Sequence, residues 1–269
     1  MTSDAIPTRR WALVTGATAG IGAAFARRFA ADGWDLVLVA RDATRLDTMA
    51  AELTGRHGRR VETLPADLST EDGCLAVERR ITAGPPVEML VNSAGIGLKR
   101  SFLNTSAADE ARVLHLNVYA VMRLTRAALR SMTERRRGAV INVSSVAGFA
   151  AFAPGLTYAA SKAWVTNFSE SVGQAALPFG VRVLALCPGY TRTEFHERAG
   201  IDPATIPAWL WLRTDDVVDA ALRDLRKGKL VSVPAWKYKL AVAGLRHTPL
   251  RLLHAATRDR RRRPERATG

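Results

Sequence analysis

Cysteine is scarce in this chain: Cys74 and Cys187 are the only two in 269 residues, and they lie far apart. So few thiols exclude a disulfide framework and a cysteine-based zinc site. Both are expected to be reduced, Cys187 as a strand packing residue, and no metal is implied. No apolar run is long enough to cross a bilayer, and residues 1–10 lack the apolar core of a secretion signal. A cytoplasmic protein is expected. Internal repeats and low-complexity linkers are missing too, so nothing divides the chain, and its length suits one large domain that buries about three quarters of its unfolded surface. What is present is globular usage, 48% hydrophobic and 24% charged residues, which excludes a disordered or fibrous chain.

Acidic residues are the other shortage. Only 25 Asp or Glu face 39 Lys or Arg, for a formal net charge of +14. Between residues 223 and 269, fourteen Lys or Arg stand against Asp224, Asp259 and Glu265, so +11 of that charge sits in the last stretch and the remainder is nearly neutral. The run 258–266 is expected to be a solvated end. A functional tail would instead meet an anionic surface, such as a membrane leaflet, nucleic acid or an acidic carrier, and in the first case the protein would sit at the membrane periphery. Residues 236–256 mix apolar and basic side chains like a basic amphipathic surface helix interrupted at Pro249, and packing back on the domain fits the same pattern.

Apolar runs at 11–15, 36–40, 61–64, 89–92, 139–144, 181–187 and 230–233 predict seven strands. Helical patterns lie between them near 21–31, 44–56, 70–82, 107–132, 158–179 and 215–226. Strand and helix in alternation argue for an α/β fold, a parallel sheet with helices on both faces. Ligands of such sheets bind outside the carboxyl ends of the strands, where Gly16, Arg41, Asp67, Asn92, Ser145 and Pro188 fall on this reading. The longest interruption, between Pro188 and Leu212, is loop-like and a candidate lid.

Two local patterns carry chemistry. Thr15-Gly16-Ala17-Thr18-Ala19-Gly20-Ile21-Gly22 follows the first strand directly. Its glycines allow a tight turn and let a pyrophosphate approach the amino end of the next helix, whose free N–H groups and dipole favour an anion. The second pattern is Tyr158 and Lys162, four residues apart on a helix, with Ser145 thirteen residues upstream at a strand end. Residues i and i+4 share a face, so the Lys162 ammonium would sit beneath the phenol and pull its pKa down from about 10 toward working pH. Tyr158 would then serve as acid–base group, with the Ser145 hydroxyl donating to the same carbonyl oxygen. Either pattern alone also has a bland reading, a tight connection or a surface pair covering an apolar patch.

Over roughly residues 9–235 the chain resembles the short-chain dehydrogenase/reductase family. The glycine turn is similar to the family's cofactor turn, and Asn92-Ser93-Ala94-Gly95 to its Asn-Asn-Ala-Gly segment, with Ser93 in place of the second Asn. Asn117 falls at the position of a catalytic asparagine, and Pro188-Gly189-Tyr190-Thr191-Arg192-Thr193 resembles the loop that closes on the nicotinamide. The resemblance implies a single-domain, Rossmann-type doubly wound sheet of about seven parallel strands. It implies a catalytic tetrad of Asn117, Ser145, Tyr158 and Lys162, with Asn117 fixing a water and Lys162 also bonding the nicotinamide ribose. The dinucleotide would be held by Gly16, Thr18, Ala19, Gly20, Ile21, Gly22, Arg41, Asp67, Asn92, Ala94, Gly95, Tyr158, Lys162, Pro188, Gly189, Thr191 and Thr193. Homo-oligomers formed through helices 107–132 and 158–179 are a family expectation. The overall run looks most like the long-chain 3-oxoacyl reductase branch. On this division residues 1–10 are an arm, 11–235 the catalytic domain with a substrate lid at 191–215, and 236–269 a basic amphipathic extension.

Charge at the end of the second strand decides which nicotinamide. An acidic residue there accepts both ribose hydroxyls of NAD, whereas this chain has Arg41, whose guanidinium can fork onto a 2′-phosphate. NADP(H) is therefore favoured over NAD(H), although Asp42 could turn inward and Ala19 offers no second cation. Arg45 either helps or pairs with Asp42. Asp67 looks like the residue beside the adenine amino group; as a helix cap it would be second to Ser69.

Residues 146–154 join Ser145 to Tyr158 and are wholly apolar, so an apolar ketone or alcohol is implied, touching Ser145, Phe149, Phe152 and Tyr158. Phe195, Ile201, Ile206, Trp209, Leu210, Trp211 and Leu212 would wall a groove for an acyl chain or polycycle, or pack the lid on the domain. Lys99, Arg100 and Arg192 could receive a phosphopantetheine or carboxylate. A dinucleotide-binding protein without turnover would be expected to lose Tyr158 or Lys162, and both are present. A membrane or nucleic-acid function through the tail would add to the enzyme.

Overall fold

A computed structural model of the chain describes residues 9–99, 102–149 and 156–247. The expectations for Arg100, Phe152 and the 258–266 run lie outside those residues. The elements are β1 (Trp11–Thr15), α1 (Gly20–Ala31), β2 (Asp35–Ala40), α2 (Ala43–His57), β3 (Val61–Pro65), α3 (Glu71–Ala83), β4 (Val87–Asn92), α4 (Ala107–Leu114), a π-helical turn (His115–Tyr119), α5 (Ala120–Glu134), β5 (Gly138–Val143), α6 (Leu156–Ala176), β6 (Val181–Leu186), α7 (Phe195–Arg198), α8 (Thr214–Arg226), β7 (Val231–Ser232) and α9 (Trp236–His247). The seven strands form one sheet in the order β3-β2-β1-β4-β5-β6-β7, parallel throughout. This is the doubly wound arrangement, and the order reverses between β1 and β4, where a crevice opens at the carboxyl ends of the strands.

Alternation along the strands builds two cores. Ala12 and Val14 point to the side carrying Phe25 and Phe29 of α1, Leu46 and Leu53 of α2 and Val217 of α8. Trp11 and Leu13 point to the other, with Val77 of α3, Leu124 and Met132 of α5 and Val183 of β6. Strands covered on both faces bury every position, as β1 and β4 do, and this is why they read as unbroken apolar runs. Helix starts follow side-chain chemistry: Asp42 caps α2, Thr70 caps α3 and Ser106 caps α4. Thr70, not Ser69 or Asp67, is the α3 cap.

Two features bear on the site, the first a difference from the sequence reading and the second a choice between its alternatives. The single helix expected over 107–132 is interrupted at the π-helical turn that contains Asn117, a local widening common at functional positions. The stretch from 236 does not lie free of the domain as far as it is described: α9 buries Tyr238 and Val242 at 6% exposure each, with Tyr238 in the first core. Among the described residues no helix is long and apolar enough to cross a membrane.

Candidate active site

The glycine turn closes against the exit of β4. Thr15 Oγ1, at the end of β1, accepts from the backbone N–H of Ser93 at 3.0 Å and of Ala94 at 3.1 Å. Gly16 has φ +65°, and a Cβ there would sit 3.0 Å from the Ala94 backbone, so both conformation and space demand glycine. Gly22 packs its backbone directly on the Gly16 carbonyl. Ala19, at the start of α1, offers no capping side chain, and the first turn carries no acidic group. The amino end of a twelve-residue helix therefore presents its N–H groups to an anion. Opposite, Thr193 stands where a Gly20 Cβ would meet its methyl at 2.8 Å. The two sides of a dinucleotide cradle are thereby within contact of each other.

At the end of β2, Arg41 is exposed. Asp42 does not turn inward: its Oδ1 accepts from the Arg45 backbone N–H at 3.0 Å and caps α2. Asp67, after β3, accepts from the backbone N–H and hydroxyl of Ser69 at 2.9 and 2.7 Å. Burial acts to raise its carboxyl, but the Ser69 bonds and the Arg41 and Arg112 charges leave it below its ordinary value. Asn92 is almost wholly buried, at 2% exposure. Its amide donates to Asn142 at 2.8 Å and Thr125 at 3.2 Å, so its side chain stitches β4 to β5 and α5 beneath the crevice.

The carbonyl-reducing candidates converge at the ends of β4 and β5. Of the adjacent serines, Ser144 is structural: its hydroxyl donates to the Lys162 carbonyl at 2.7 Å and pairs with Thr166 at 2.8 Å. The Ser145 hydroxyl accepts from the Ala147 N–H at 3.1 Å and stands close enough to the Tyr158 phenol to act on its proton equilibrium. Lys162 Nζ donates to the Val143 carbonyl at 2.8 Å and lies 5.7 Å from the Tyr158 ring centroid. Asn117, fully buried, spends its amide on protein: Oδ1 accepts from Ile96 N–H at 3.0 Å, and Nδ2 donates to the Ile96 carbonyl at 2.9 Å and to Ser161 at 3.2 Å. Gly95 closes the cluster, since a Cβ there would stand 3.2 Å from Asn117 Oδ1 and 3.4 Å from Lys162 Nζ.

The electrostatics differ from the i, i+4 expectation. Burial dominates and pushes the Tyr158 phenol up to about 12, with only the Ser145 hydrogen bond acting downward. Burial also lowers the Lys162 ammonium, to about 8. The lysine is placed on the same face as expected, but it is tied to a backbone carbonyl and its own charge is costly there, so desolvation outweighs its attraction for a phenolate.

The loop after β6 covers this cluster. The Pro188 carbonyl accepts from Val146 N–H at 3.0 Å, and Thr191 bridges Leu212. Tyr238, from α9, packs its ring on Gly189, accepts from Tyr190 N–H at 3.0 Å and donates to the Leu210 carbonyl at 2.7 Å. Phe195 packs against Tyr158 at a tilt of 39°, with ring centroids 5.4 Å apart. Phe149 is half-buried in the short turn after Ser145.

Residues 10–203 match the short chain dehydrogenase family. The chain belongs to the short-chain dehydrogenase/reductase family. A solved short-chain dehydrogenase from Sphingobium yanoikuyae, in complex with NADPH, is 36% identical, with a TM-score of 0.81 over 97% of this chain and 98% of that one. A bulky-bulky ketone specific alcohol dehydrogenase from Comamonas testosteroni is 30% identical, with a TM-score of 0.77 and 97% of each chain covered. A very-long-chain 3-oxoacyl-CoA reductase-like protein of Arabidopsis thaliana is 34% identical over 239 residues, 86% of this chain and 74% of that protein. The protein is thus an NAD(P)-type dinucleotide-binding oxidoreductase with the Rossmann-type fold.

Sequence reasoning about this dehydrogenase passed over Ile96, Gly97 and Tyr238. Gly97 has no Cβ beneath the Tyr158 and Phe195 rings, and Tyr238 holds the loop from the far end of the chain. Neither has a local sequence signal. His196 was passed over as well. It is buried among Tyr190, Phe195 and Trp211, with ring centroids 5.7, 5.7 and 4.8 Å away. Its Nδ1 lacks a well-formed hydrogen bond among the described residues. Burial holds the imidazole below its ordinary value, partly offset by the Thr193 backbone. The unfolded loop therefore takes a proton first, and loop stability falls as pH drops below about 6.5. Amide protection factors across residues 191–212, taken relative to the intrinsic exchange rate at each pH, should fall between pH 7 and pH 5. His196→Leu should flatten that dependence; a loop equally protected at both pH values in the parent chain would contradict the assignment.

Proposed function

We propose that this dehydrogenase reduces apolar ketones of the 3-oxoacyl type with NADPH, Tyr158 being the proton donor. The observation that carries the reading is the convergence of Tyr158, Ser145 and Lys162, whose Nζ lies 5.7 Å from the Tyr158 ring centroid, on the crevice side of the sheet where the glycine cradle lies. The residues suit a dinucleotide: the open amino end of α1 for the pyrophosphate, glycines where any Cβ would fill the cradle, and Arg41 for the 2′-phosphate. When bound, the cofactor supplies hydride to the carbonyl carbon. Tyr158 gives its proton to the carbonyl oxygen, and a phenol held up at about 12 is fully protonated for that task at neutral pH. Ser145 donates a hydrogen bond to the same oxygen as charge develops. Lys162, lowered to about 8, gives and takes a proton near working pH and so restores Tyr158. Asn117 holds the 95–96 backbone to α6 and thereby positions Lys162. Phe195 keeps water from the Tyr158 ring, and with Phe149 and the residues 191–215 it makes an apolar wall.

The apolar wall and the ketone and 3-oxoacyl-CoA chemistries named for relatives favour hydrophobic over small polar substrates. A steroid-like ketone is the alternative occupant, and a 7β-hydroxysteroid dehydrogenase has a similar structure at 25% identity, with a TM-score of 0.82. Homo-oligomerisation belongs to the same reading, supported by exposed Tyr119 just before α5 and by Leu156 and Leu177 at the two ends of α6. Loss of reduced-cofactor absorbance with a panel of 3-oxoacyl thioesters, steroid ketones and short ketones tests the substrate class. Each methylene buried contributes about 0.8 kcal/mol, so kcat/KM should rise about tenfold for every two carbons until the wall is filled. Short polar ketones turned over fastest would overturn the reading.

A further inference from the structure

Arg45 and Glu194 form an ion pair across the mouth of the cradle. Arg45 lies in the first turn of α2, four residues after Arg41. Its Nη2 donates to the Thr18 carbonyl of the glycine turn at 3.0 Å and to Glu194 Oε1 at 2.7 Å, while Nη1 donates to Glu194 Oε2 at 3.1 Å. Glu194 follows Thr193, whose methyl meets Gly20, and also pairs with Arg198 one turn along α7. The pair joins the amino end of α2 and the glycine turn to the loop that carries Phe195 over Tyr158.

A guanidinium presenting two parallel N–H groups to a carboxylate is equally suited to a phosphate. Arg45 stands beside Arg41 and the glycine turn, where the reading above expects a 2′-phosphate. Its present partner is a carboxylate with one charge and a second cation, Arg198, already in hand. Side-chain exposures of 40% for Arg45 and 45% for Glu194 leave the pair screened and weak, so a phosphate bearing nearly two charges displaces it. A nicotinamide cofactor without the 2′-phosphate has nothing to offer Arg45 and leaves the pair intact.

We propose that Arg45 is a second 2′-phosphate ligand and that Glu194 is its internal competitor, so that NADP(H) takes the Arg45 fork and releases Glu194 to Arg198, whereas NAD(H) does not. The exchange makes Glu194 a specificity residue although it sits in the loop after β6, remote in sequence from the second strand. It also makes the attachment of that loop to α2 depend on which nicotinamide is bound. The inference rests on the NADP(H) reading.

Binding of 2′,5′-ADP and of 5′-ADP, followed by calorimetry on the full chain, tests it without turnover. Glu194→Gln should tighten 2′,5′-ADP about three- to fivefold, the size of an exposed ion pair, and leave 5′-ADP within twofold. Arg45→Gln should weaken 2′,5′-ADP about tenfold or more and spare 5′-ADP, and in the double variant the Glu194→Gln gain should vanish. Both sites are surface-exposed, and unchanged thermal melting of each variant excludes unfolding as the cause. Should the parent chain bind the two nucleotides alike, the NADP(H) reading itself falls and the proposal with it. A parent chain that prefers 2′,5′-ADP, with Glu194→Gln leaving that preference unmoved, overturns the exchange alone.

Discussion

Tyr158→Phe is expected to bind NADPH as the parent does and to lose nearly all turnover. The substitution keeps the ring that packs at a tilt against Phe195, centroids 5.4 Å apart, and removes only the hydroxyl. General acid catalysis by one positioned group contributes about a hundred- to ten-thousandfold, and here the deleted proton is the one the carbonyl oxygen must receive. The loss should fall on kcat and kcat/KM alike, the mark of an interaction made only in the transition state. Cofactor affinity, measured by fluorescence titration, should move by less than about twofold, because the charged anchors of the dinucleotide lie at the amino end of α1 and at Arg41. Turnover within tenfold of the parent would remove Tyr158 from the role of acid. Lys162→Met offers a second view of the same unit: it deletes the ammonium tied to Val143 and should shift the pH profile of any residual reduction.

Arg41→Asp should reverse cofactor preference. The guanidinium at the end of β2 is exposed and free to meet a phosphate, and each charge-assisted hydrogen bond lost there is worth about 1.5–3 kcal/mol. The aspartate repels a 2′-phosphate and accepts the ribose hydroxyls of NAD, so the two effects add. The ratio of kcat/KM for NADPH over NADH should fall by about a hundredfold or more. Asp42 does not blur the result, because its carboxylate is already occupied in capping α2. An unchanged ratio would mean that another group reads the phosphate, and Arg45 would then carry that role alone.

The order in which these elements can be read from sequence has a physical logic. Strand positions came within a residue or two because buried parallel strands need apolar side chains on both faces, and that requirement is written locally. The helix interruption at Asn117 has no such local record. It exists because the side chain reaches Ile96 and Ser161, far away along the chain. Asn92 shows the same limit: a motif match named it for the dinucleotide, and only the structure places its side-chain amide in a buried ladder with Thr125 and Asn142.

Sequence alone determined the parallel α/β frame, the glycine turn and the identity of the groups around Tyr158, since periodicity, left-handed backbone and side-chain chemistry are properties of short segments. Tertiary structure decided the rest. Which of two adjacent serines faces the phenol depends on how β5 meets α6, and the balance between the Lys162 charge and burial at Tyr158 depends on how much water the surrounding elements exclude. The pairing of Arg45 with Glu194 joins residues 149 positions apart, and no local pattern encodes a contact that exists only once the loop after β6 has folded back over the glycine turn.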